Sequence, residues 1–453
     1  MSLKEIINDP KRIFIGNEIP DEYVTNRFFK METKVYAVAL PISKEEVIGL
    51  VKFANENNII IVVRGASTGV TGAQLPVIGN ELIIDLSLMN KITDFDEETM
   101  TLTVEPGVLL NSIQEFVEKK GYFYPPDPGS KLSSIGGNVS TNAGGMRAVK
   151  YGTTRDYVKS LDIVLPNGDF MTAGSLNIKN SSGYDLKNLF IGSEGTLGII
   201  TQIKLKVLTL PKFNKSLILA FNDVIDATDA VIYILNHGYK PTALELFEKS
   251  AIEYSENFLK YKFQSQKGNA YILMTLDGND EEHIIKEIDK LKNDIINKTL
   301  EVVILDSDEE ANKAWNLRDN ILYALMEFTE YELLDEVVPI NMFAEMIRST
   351  KELQDKHNIS ILNFGHAGDG NVHTVLMKGD YDQKTWELKR KEYLNDLYFK
   401  VNELGGLPSA EHGIGLLKKE YFLKYTDKVN VEFMKSIKKV IDPKGLLNPS
   451  KIF

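Results

Sequence analysis

The sequence predicts an α+β protein that folds as more than one unit. Its 453 residues exceed what one ordinary hydrophobic core organises, and 43% apolar with 26% charged residues is a globular composition. The sequence pattern also changes near residue 209, from a glycine-rich first part to a regular alternation of strand-like runs and amphipathic helices. We therefore expect an N-terminal helical segment (1–34), a first domain (35–209), a second α+β domain with an antiparallel sheet (210–405) and a C-terminal segment that returns to the first domain (406–453).

The first domain begins with a predicted βαβ unit. Residues 35–40 and 59–63 read as buried strands, and Ser43 with Glu46 forms a capping-box pattern at the start of the helix between them. Strands joined in this way run parallel with a right-handed crossover. The next predicted elements are a strand at 82–86, an antiparallel hairpin at 94–104, a helix at 109–120 and a hairpin at 160–173 that turns at Pro166-Asn167-Gly168.

The second domain and the tail show simpler patterns. Strand-like runs alternate with amphipathic helices, and a last helix leads into a turn-rich end at 442–449, which would suit a tail packed on the first domain. The predicted strands are 216–221, 244–247, 271–276 and 302–305, and the predicted helices are 227–237, 281–297 and 431–440.

Composition excludes several classes of function. The chain has no cysteine, which rules out disulfides, thiolate catalysis, zinc fingers and iron–sulfur clusters. A formal charge of −12 with both signs mixed offers no basic stripe for a nucleic acid. The apolar runs are strand-length and the N-terminus lacks a secretory core, so we expect a cytoplasmic protein that does not span a membrane.

Two glycine-rich tracts predict a binding surface for a long cofactor. The first, residues 64–72, follows a buried strand and carries small side chains and hydroxyls that suit an anion. Its spacing matches neither the dinucleotide fingerprint nor a P-loop, and alone such a loop is more often a tight turn. The second tract, residues 125–152, favours a multi-phosphate cofactor lying between the two.

Histidines cluster in a pattern that suits a metal. His366 and His373 flank a glycine-containing bend, and Glu411 with His412 follows later in the chain. Two imidazoles and one carboxylate would hold Zn²⁺, Fe²⁺ or Mn²⁺ with positions open for a substrate. The two histidines would equally suit hydrogen bonds to loop backbone, and the residue types leave both readings open. The remaining histidines, His237, His283 and His357, are expected on solvated helix ends or faces.

Nine short motifs occur in order along the chain. They are Arg64 to Gly69, Pro126-Asp127-Pro128, Ile135 to Asn138, Asn142 to Gly145, Tyr151-Gly152, Gly192 to Gly198, His366 to His373, Glu411-His412-Gly413 and Asn448 to Lys451. Together they resemble the FAD-linked oxidase family and, within it, the D-lactate dehydrogenase and glycolate oxidase D-subunit branch. The resemblance covers nearly the whole chain and implies an FAD-binding domain of the vanillyl-alcohol oxidase type at 35–209 with a cap domain at 210–405.

The resemblance implies a role for each matching residue. His366, His373 and Glu411 would bind one divalent metal, His412 would be the catalytic base, and Arg318 would hold the substrate carboxylate. Without the family, Arg318 reads as an ordinary surface residue of an amphipathic helix. The implied FAD-binding residues are Arg64, Gly65, Ala66, Ser67, Thr68, Gly69, Gly72, Pro128, Gly129, Ser134, Gly137, Asn142, Gly144, Gly145, Tyr151, Gly152, Glu194, Gly195, Ile200 and Asn448.

Two differences between this sequence and the relatives it resembles make the expected activity more specific. Residues 66–68 contain no histidine or cysteine, so FAD would be bound non-covalently. Leu322 and Leu333 stand where the 2-hydroxyglutarate branch places partners for a second carboxylate, which favours a small monocarboxylic 2-hydroxy acid such as D-lactate or glycolate. Oxidation to the 2-oxo acid would then pass hydride to FAD and electrons on to an acceptor such as an electron-transferring flavoprotein or a quinone. A homodimer is possible on this reading.

Three alternatives compete with this interpretation. One is a D-2-hydroxyglutarate-type dehydrogenase, and another is a non-catalytic FAD electron-transfer subunit, which the complete histidine set disfavours. A third is a nicotinamide-dependent flavin reductase of the cell-wall type, which shares the FAD domain but does not explain the histidines.

Overall fold

The computed structural model describes residues 2–26 and 30–453. The strands are distributed from residue 13 to residue 377. They are β1 (Ile13–Ile15), β2 (Ala37–Ala39), β3 (Ile61–Arg64), β4 (Leu82–Asp85), β5 (Ile92–Asp96), β6 (Thr101–Val104), β7 (Tyr122–Phe123), β8 (Val158–Val164), β9 (Phe170–Gly174), β10 (Ile199–Lys206), β11 (Leu208–Thr209), β12 (Phe213–Phe221), β13 (Ala243–Glu248), β14 (Ala270–Gly278), β15 (Glu301–Leu305), β16 (Tyr331–Leu333), β17 (Glu336–Val337), β18 (Ser360–His366) and β19 (Asn371–Met377).

The helices vary from single turns to 21 residues. They are α1 (Leu3–Ile6), α2 (Lys44–Asn57), α3 (Leu110–Glu118), α4 (Ile135–Thr141), α5 (Ala148–Tyr151), α6 (Thr154–Tyr157), α7 (Lys187–Phe190), α8 (Val224–Asn236), α9 (Lys249–Leu259), α10 (Glu281–Ile295), α11 (Asp308–Asp319), α12 (Ile321–Met326), α13 (Phe343–His357), α14 (Gln383–Glu403), α15 (Lys419–Tyr425) and α16 (Lys428–Ile441).

The chain divides into two compact units. The first unit contains Met1–Gly144, Thr153–Leu210 and Glu411–Phe453, and the second contains Gly145–Gly152 and Pro211–Ala410. The expected N-terminal helical segment differs from the structure: its described part holds the four-residue helix α1, short 3-10 turns and the strand β1, while Met1 and 27–29 lie outside the described residues. The later segment returns to the first unit at 411, a few residues after the expected 406.

The first unit contains the predicted βαβ unit with one strand inserted. β2 and β3 are parallel, but β4 lies between them and pairs with both, while β1 adds an antiparallel edge to β2. Helix α2 begins at Ser43, whose hydroxyl accepts from the Glu46 N–H. Its apolar face buries Val47, Leu50 and Val51 against these strands, and burial of each such side chain stabilises by about 1.5–3 kcal/mol.

A second sheet in the first unit is antiparallel throughout. Its order is β5-β6-β10-β8-β9, so both predicted hairpins are present at its two edges. The hairpin between β8 and β9 turns at Gly168, whose φ of +84° is the left-handed conformation that glycine favours. The small sheet of β7 and β11 follows α3 in this unit.

The C-terminal tail pairs with the first unit, as the turn-rich end suggested. Leu447 forms a parallel bridge with Ile61 of β3, where the Ile61 N–H donates to Leu446 and the Asn448 N–H donates to Ile61. Leu447 is fully buried in the same core as α2. This pairing places the tail beside the strand that leads into the first glycine-rich tract.

The second unit is one large antiparallel sheet with helices. The strand order is β15-β12-β14-β13-β18-β19-β16, with β17 also paired to β19. Most expected strands and helices of this half are present, and α8 begins at Asp223, which caps two backbone N–H groups. Among residues 2–26 and 30–453, no helix combines the length and apolar character that crossing a bilayer requires.

Candidate active site

A groove in the first unit brings the two glycine-rich tracts together. The empty space of this groove, with the open solvent at its mouth included, is about 910 Å³. Small and hydroxyl-bearing residues dominate the wall, with apolar side chains among them. The lining residues are Val63, Arg64, Gly65, Ala66, Ser67, Thr68, Gly69, Thr71, Ala73, Gln74, Leu86, Pro106, Ser134, Gly136, Gly137, Asn138, Ser140, Thr141, Glu194, Gly195, Gly198, Ile200 and His412.

Ser134 joins the two tracts at this groove. It caps α4 by accepting from the Gly137 N–H at 3.4 Å, and it also accepts from the Ala66 N–H at 3.2 Å. A Cβ on Gly65 would lie 2.3 Å from the Ser134 hydroxyl, so the two segments approach as closely as glycine allows. This close approach of two backbones with small side chains fits a dinucleotide-sized cofactor whose phosphates need neutral donors and little steric bulk.

Glu194 and Arg64 have structural contacts that the sequence did not indicate. The Glu194 carboxylate accepts from the backbone N–H groups of Ile414 and Gly415 at 2.7 and 2.8 Å. Burial raises the pKa of the Glu194 carboxyl, and these two N–H groups oppose that rise only in part. Arg64 donates to the Glu22 carbonyl, so its guanidinium is used at least partly to hold the N-terminal segment.

The turn that carries Glu411 and His412 is held from within the first unit. The Thr71 hydroxyl donates to the His412 carbonyl at 3.3 Å, and the Leu416 N–H donates to the Thr71 carbonyl at 2.8 Å. A Cβ on Gly144 would lie 2.9 Å from a Glu411 carboxylate oxygen, so glycine at 144 leaves room for that carboxylate. His412 therefore lines the cofactor groove from a turn anchored to the first glycine-rich tract.

In the second unit, His366 and His373 face each other across a tight hairpin. His366 is the last residue of β18 and His373 is the third residue of β19, with the turn at 367–370 reversing the chain and Gly370 at φ +82°. The two Nε2 atoms are 3.4 Å apart. The Nδ1 of His366 lies 2.7 Å from a Glu245 oxygen, and that of His373 lies 3.4 Å from the Leu334 carbonyl. Both of those partners are hydrogen-bond acceptors, so in the neutral imidazoles each Nδ1 carries the proton and each Nε2 is an acceptor.

Arg318 joins the same cluster through Glu245. Its guanidinium lies 2.5 Å from the second Glu245 oxygen, and its side chain is 11% exposed rather than on the surface that helix periodicity alone suggested. Burial alone would raise the pKa of the Glu245 carboxyl, but Arg318 and His366 outweigh burial and lower it. One buried cluster thus contains Arg318, Glu245, His366 and His373. The sequence analysis did not identify Glu245, because a single glutamate within a strand belongs to no recognisable motif.

Several expected cofactor residues do not line the groove. Tyr151 in the second unit donates to Asp277 at 2.9 Å. Asn448 donates to the carbonyls of Ala73 and Glu194, and it therefore holds two residues that line the groove without lining it itself. The expected residues outside the groove lining are Gly72, Pro128, Gly129, Asn142, Gly144 and Asn448 in the first unit and Gly145, Tyr151 and Gly152 in the second.

The groove also includes residues that the sequence analysis did not single out. Ser140 and Thr141 of α4 line it, with Gln74 and Pro106 from other loops. Neither spacing nor composition marks them, because their position depends on how separate loops fold together.

One histidine expected on the surface is buried instead: the His357 side chain is 9% exposed and its Nε2 lies 2.7 Å from an Asp396 carboxylate oxygen. The expectation of a solvated His357 is therefore wrong.

Comparison with known proteins agrees with this architecture. The family described as "FAD binding domain" matches residues 35–174, and "FAD linked oxidases, C-terminal domain" matches residues 210–452. The D-lactate dehydrogenase of Anaerostipes hadrus is 39% identical over 98% of this chain and 95% of its own length. Glycolate oxidase subunit GlcD of Bacillus subtilis (strain 168) is 36% identical over 92% and 88%. D-2-hydroxyglutarate dehydrogenase of Stutzerimonas stutzeri (strain A1501) is 31% identical over 97% and 96%.

Solved structures agree at the level of the fold. p-Cresol methylhydroxylase with substrate bound superposes with a TM-score of 0.81 at 17% identity, covering 99% of this chain and 95% of that chain. 4-Ethylphenol oxidase from Gulosibacter chungangensis gives 0.78 at 18% identity, covering 99% and 95%. The fold and the groove define a flavoprotein of the vanillyl-alcohol oxidase type. The chain belongs to the FAD-linked oxidase family and is an FAD-dependent oxidoreductase.

Proposed function

We propose that the protein oxidises a small D-2-hydroxy acid, of the D-lactate or glycolate type, to the 2-oxo acid with non-covalently bound FAD and one divalent metal. The observation that carries the proposal is the buried cluster of Arg318, Glu245, His366 and His373. It combines a cation suited to a carboxylate with two imidazoles suited to a metal. The D configuration rests on the likeness to D-lactate dehydrogenase of Anaerostipes hadrus.

The paired histidines fit a metal better than they fit each other. Two lone pairs that face at 3.4 Å repel unless a cation lies between them. Tetrahedral coordination with metal–nitrogen distances of about 2.0–2.1 Å separates two nitrogens by about 3.3–3.4 Å. A proton shared between the two Nε2 atoms explains this spacing less well, since hydrogen bonds donated by N–H groups are usually about 2.7–3.2 Å long. We therefore propose His366, His373 and Glu411 as ligands of Zn²⁺, Fe²⁺ or Mn²⁺.

The chain's own residues supply binding and proton transfer in this proposal. Arg318 binds the substrate carboxylate through guanidinium N–H groups, which favours one orientation of the hydroxy acid. His412 accepts the hydroxyl proton on its imidazole. The metal, when bound, supplies Lewis acidity that lowers the pKa of the substrate hydroxyl. FAD, when bound, supplies the acceptor for the hydride from C2.

The proposed small substrate is supported by two apolar residues at positions where, by the family resemblance, partners of a second carboxylate are expected. Helix α11, which carries Arg318, ends at Asp319, and Leu322 is the second residue of α12, which begins at Ile321. Leu333 lies in β16 opposite Val375. Glu330 and Glu332 are paired with Lys378 and Arg390, so those nearby cations are already used. If Leu322 and Leu333 border the substrate, as the family resemblance implies, a second carboxylate would lose its hydration there without gaining a partner, which is unfavourable.

A side-by-side assay tests the substrate. Purified FAD-loaded enzyme should show more than about tenfold higher kcat/KM with D-lactate or glycolate than with D-2-hydroxyglutarate, because unpaired buried charge costs roughly 2 kcal/mol or more. D-malate serves as a shorter dicarboxylate control and should also be poor. Equal or better turnover of D-2-hydroxyglutarate would replace the monocarboxylate proposal with the D-2-hydroxyglutarate-type alternative, which the likeness to the Stutzerimonas stutzeri enzyme keeps open.

A further inference from the structure

Glu245 lies at a position where no motif predicts chemistry. It is in the middle of β13, and it is the direct cross-strand partner of His366 in β18. Side chains at paired positions of neighbouring antiparallel strands lie on the same face of the sheet, which brings the carboxylate to the imidazole. The residue is fully buried, with a relative exposure of 0%. A charged side chain is almost never buried in this way unless it is paired.

Each oxygen of Glu245 contacts a different functional side chain. One oxygen lies 2.7 Å from Nδ1 of His366, and the other lies 2.5 Å from the Arg318 guanidinium. The first contact holds the Nδ1 proton and directs the Nε2 lone pair toward His373. The second holds one edge of a guanidinium that also lies 5.5 Å from the Phe364 ring centroid and whose Nη1 lies 3.8 Å from Asp319.

We infer that Glu245 is a positioning residue that orients the metal ligand His366 and the carboxylate clamp Arg318 at once. The inference rests on the proposed function for the roles of those two residues. A purely structural explanation is weaker, because a buried ion pair is often no more stabilising than an apolar replacement of similar volume. The position of Glu245 between two side chains of different function accounts for retaining a fully buried charge there.

Another buried carboxylate in the same unit shows what a structural role looks like. Glu256 is 3% exposed, and it accepts from Lys262, from the Phe263 N–H and from Gln266. None of these partners belongs to the histidine cluster. Glu256→Gln is therefore a matched control that removes a buried carboxylate without touching His366 or Arg318.

Glu245→Gln is the informative substitution, because an amide has only one accepting edge. If its oxygen accepts from His366, its NH₂ group faces Arg318, where two donors repel. If its oxygen accepts from Arg318, its NH₂ group donates to Nδ1 of His366 and moves the imidazole proton to Nε2. Either orientation must damage one of the two sites.

The experiment measures both sites in full-length, FAD-loaded protein. Zn²⁺ affinity is measured on metal-stripped protein by competition with a chromogenic chelator, and KM and kcat are measured with D-lactate after Zn²⁺ is restored. For Glu245→Gln we expect either Zn²⁺ affinity to fall roughly 10–100-fold or KM for D-lactate to rise about tenfold or more. Glu256→Gln should change neither by more than about twofold, which is the usual scatter for substitutions at distant sites.

The outcomes separate this inference from the proposed function. Unchanged Zn²⁺ affinity and unchanged KM in a folded Glu245→Gln variant would overturn the role of Glu245. If Glu245→Gln does not fold, Glu245→Asp keeps the charge but shortens its reach by one methylene, and the same two readouts decide with the same criterion. A wild-type protein that binds none of Zn²⁺, Fe²⁺ and Mn²⁺ would instead contradict the metal in the proposed function, and the KM comparison would still test the contact between Glu245 and Arg318.

Discussion

Replacing Gly144 by alanine would place a methyl group against the Glu411 carboxylate. The added Cβ would lie 2.9 Å from one carboxylate oxygen and 3.3 Å from the Glu411 Cβ. Ordinary contacts of this kind begin near roughly 3.5 Å, so the side chain must retreat by about 0.5 Å. Gly144 has no left-handed φ, so the substitution itself adds no backbone strain.

That displacement is large on the scale of a metal site. Ligand distances in such sites hold to within about 0.2 Å, and disturbed support of a ligand usually costs about 10–100-fold in metal affinity or activity. We therefore expect Gly144→Ala to lose about tenfold or more in metal affinity and in kcat/KM with D-lactate. FAD content should stay near the wild-type value, because Gly144 does not line the cofactor groove.

The assay pairs metal analysis with flavin absorbance. Protein is dialysed against limiting Zn²⁺, and the metal-to-flavin ratio is read by elemental analysis and by the flavin absorption band. Gly278→Ala is the control, because its Cβ would meet Ile284 at an ordinary 3.7 Å. A Gly144→Ala protein with the wild-type metal ratio and activity would refute the argument that Glu411 is held against residue 144 as a ligand.

Two further predictions concern the cofactor and the base. Acid precipitation should release intact FAD into the supernatant, because Ala66, Ser67 and Thr68 offer no side chain for covalent attachment; flavin retained in the pellet would contradict this. His412→Ala should lower kcat by about 10²–10⁴, the usual loss for a general base, with FAD absorbance retained. A kcat within a few-fold of wild type would remove His412 from that role.

Local patterns predicted much of the fold because the relevant interactions are local. The βαβ unit, both hairpins and the division near 209 follow from periodicity, a helix cap and a Pro-Asn-Gly turn. The position of β4 between β2 and β3 could not be predicted from the sequence, because strand order depends on which strand edges pair during folding. The strand β1 in the N-terminal segment was missed for a related reason: it is a strand because it pairs with β2, not because of its own pattern.

The candidate site shows the same limit. His366 and His373 were identified because they share one short segment, and their hairpin places them together. Glu245 lies 121 positions from His366 and was missed, since only the pairing of β13 with β18 brings the two together. His357 was misjudged because its burial comes from packing against α14, where Asp396 and Tyr393 lie.

Anaerobic reduction of the bound FAD by D-lactate tests the central claim most directly. The account predicts that D-lactate bleaches the flavin absorption of the metal-loaded protein, that removal of the metal by a chelator abolishes bleaching without releasing FAD, and that Zn²⁺ or Mn²⁺ restores it. Glycolate should behave in the same way. Full bleaching in the stripped protein would contradict the metal, and no bleaching by either hydroxy acid in the metal-loaded protein would contradict the proposed reaction.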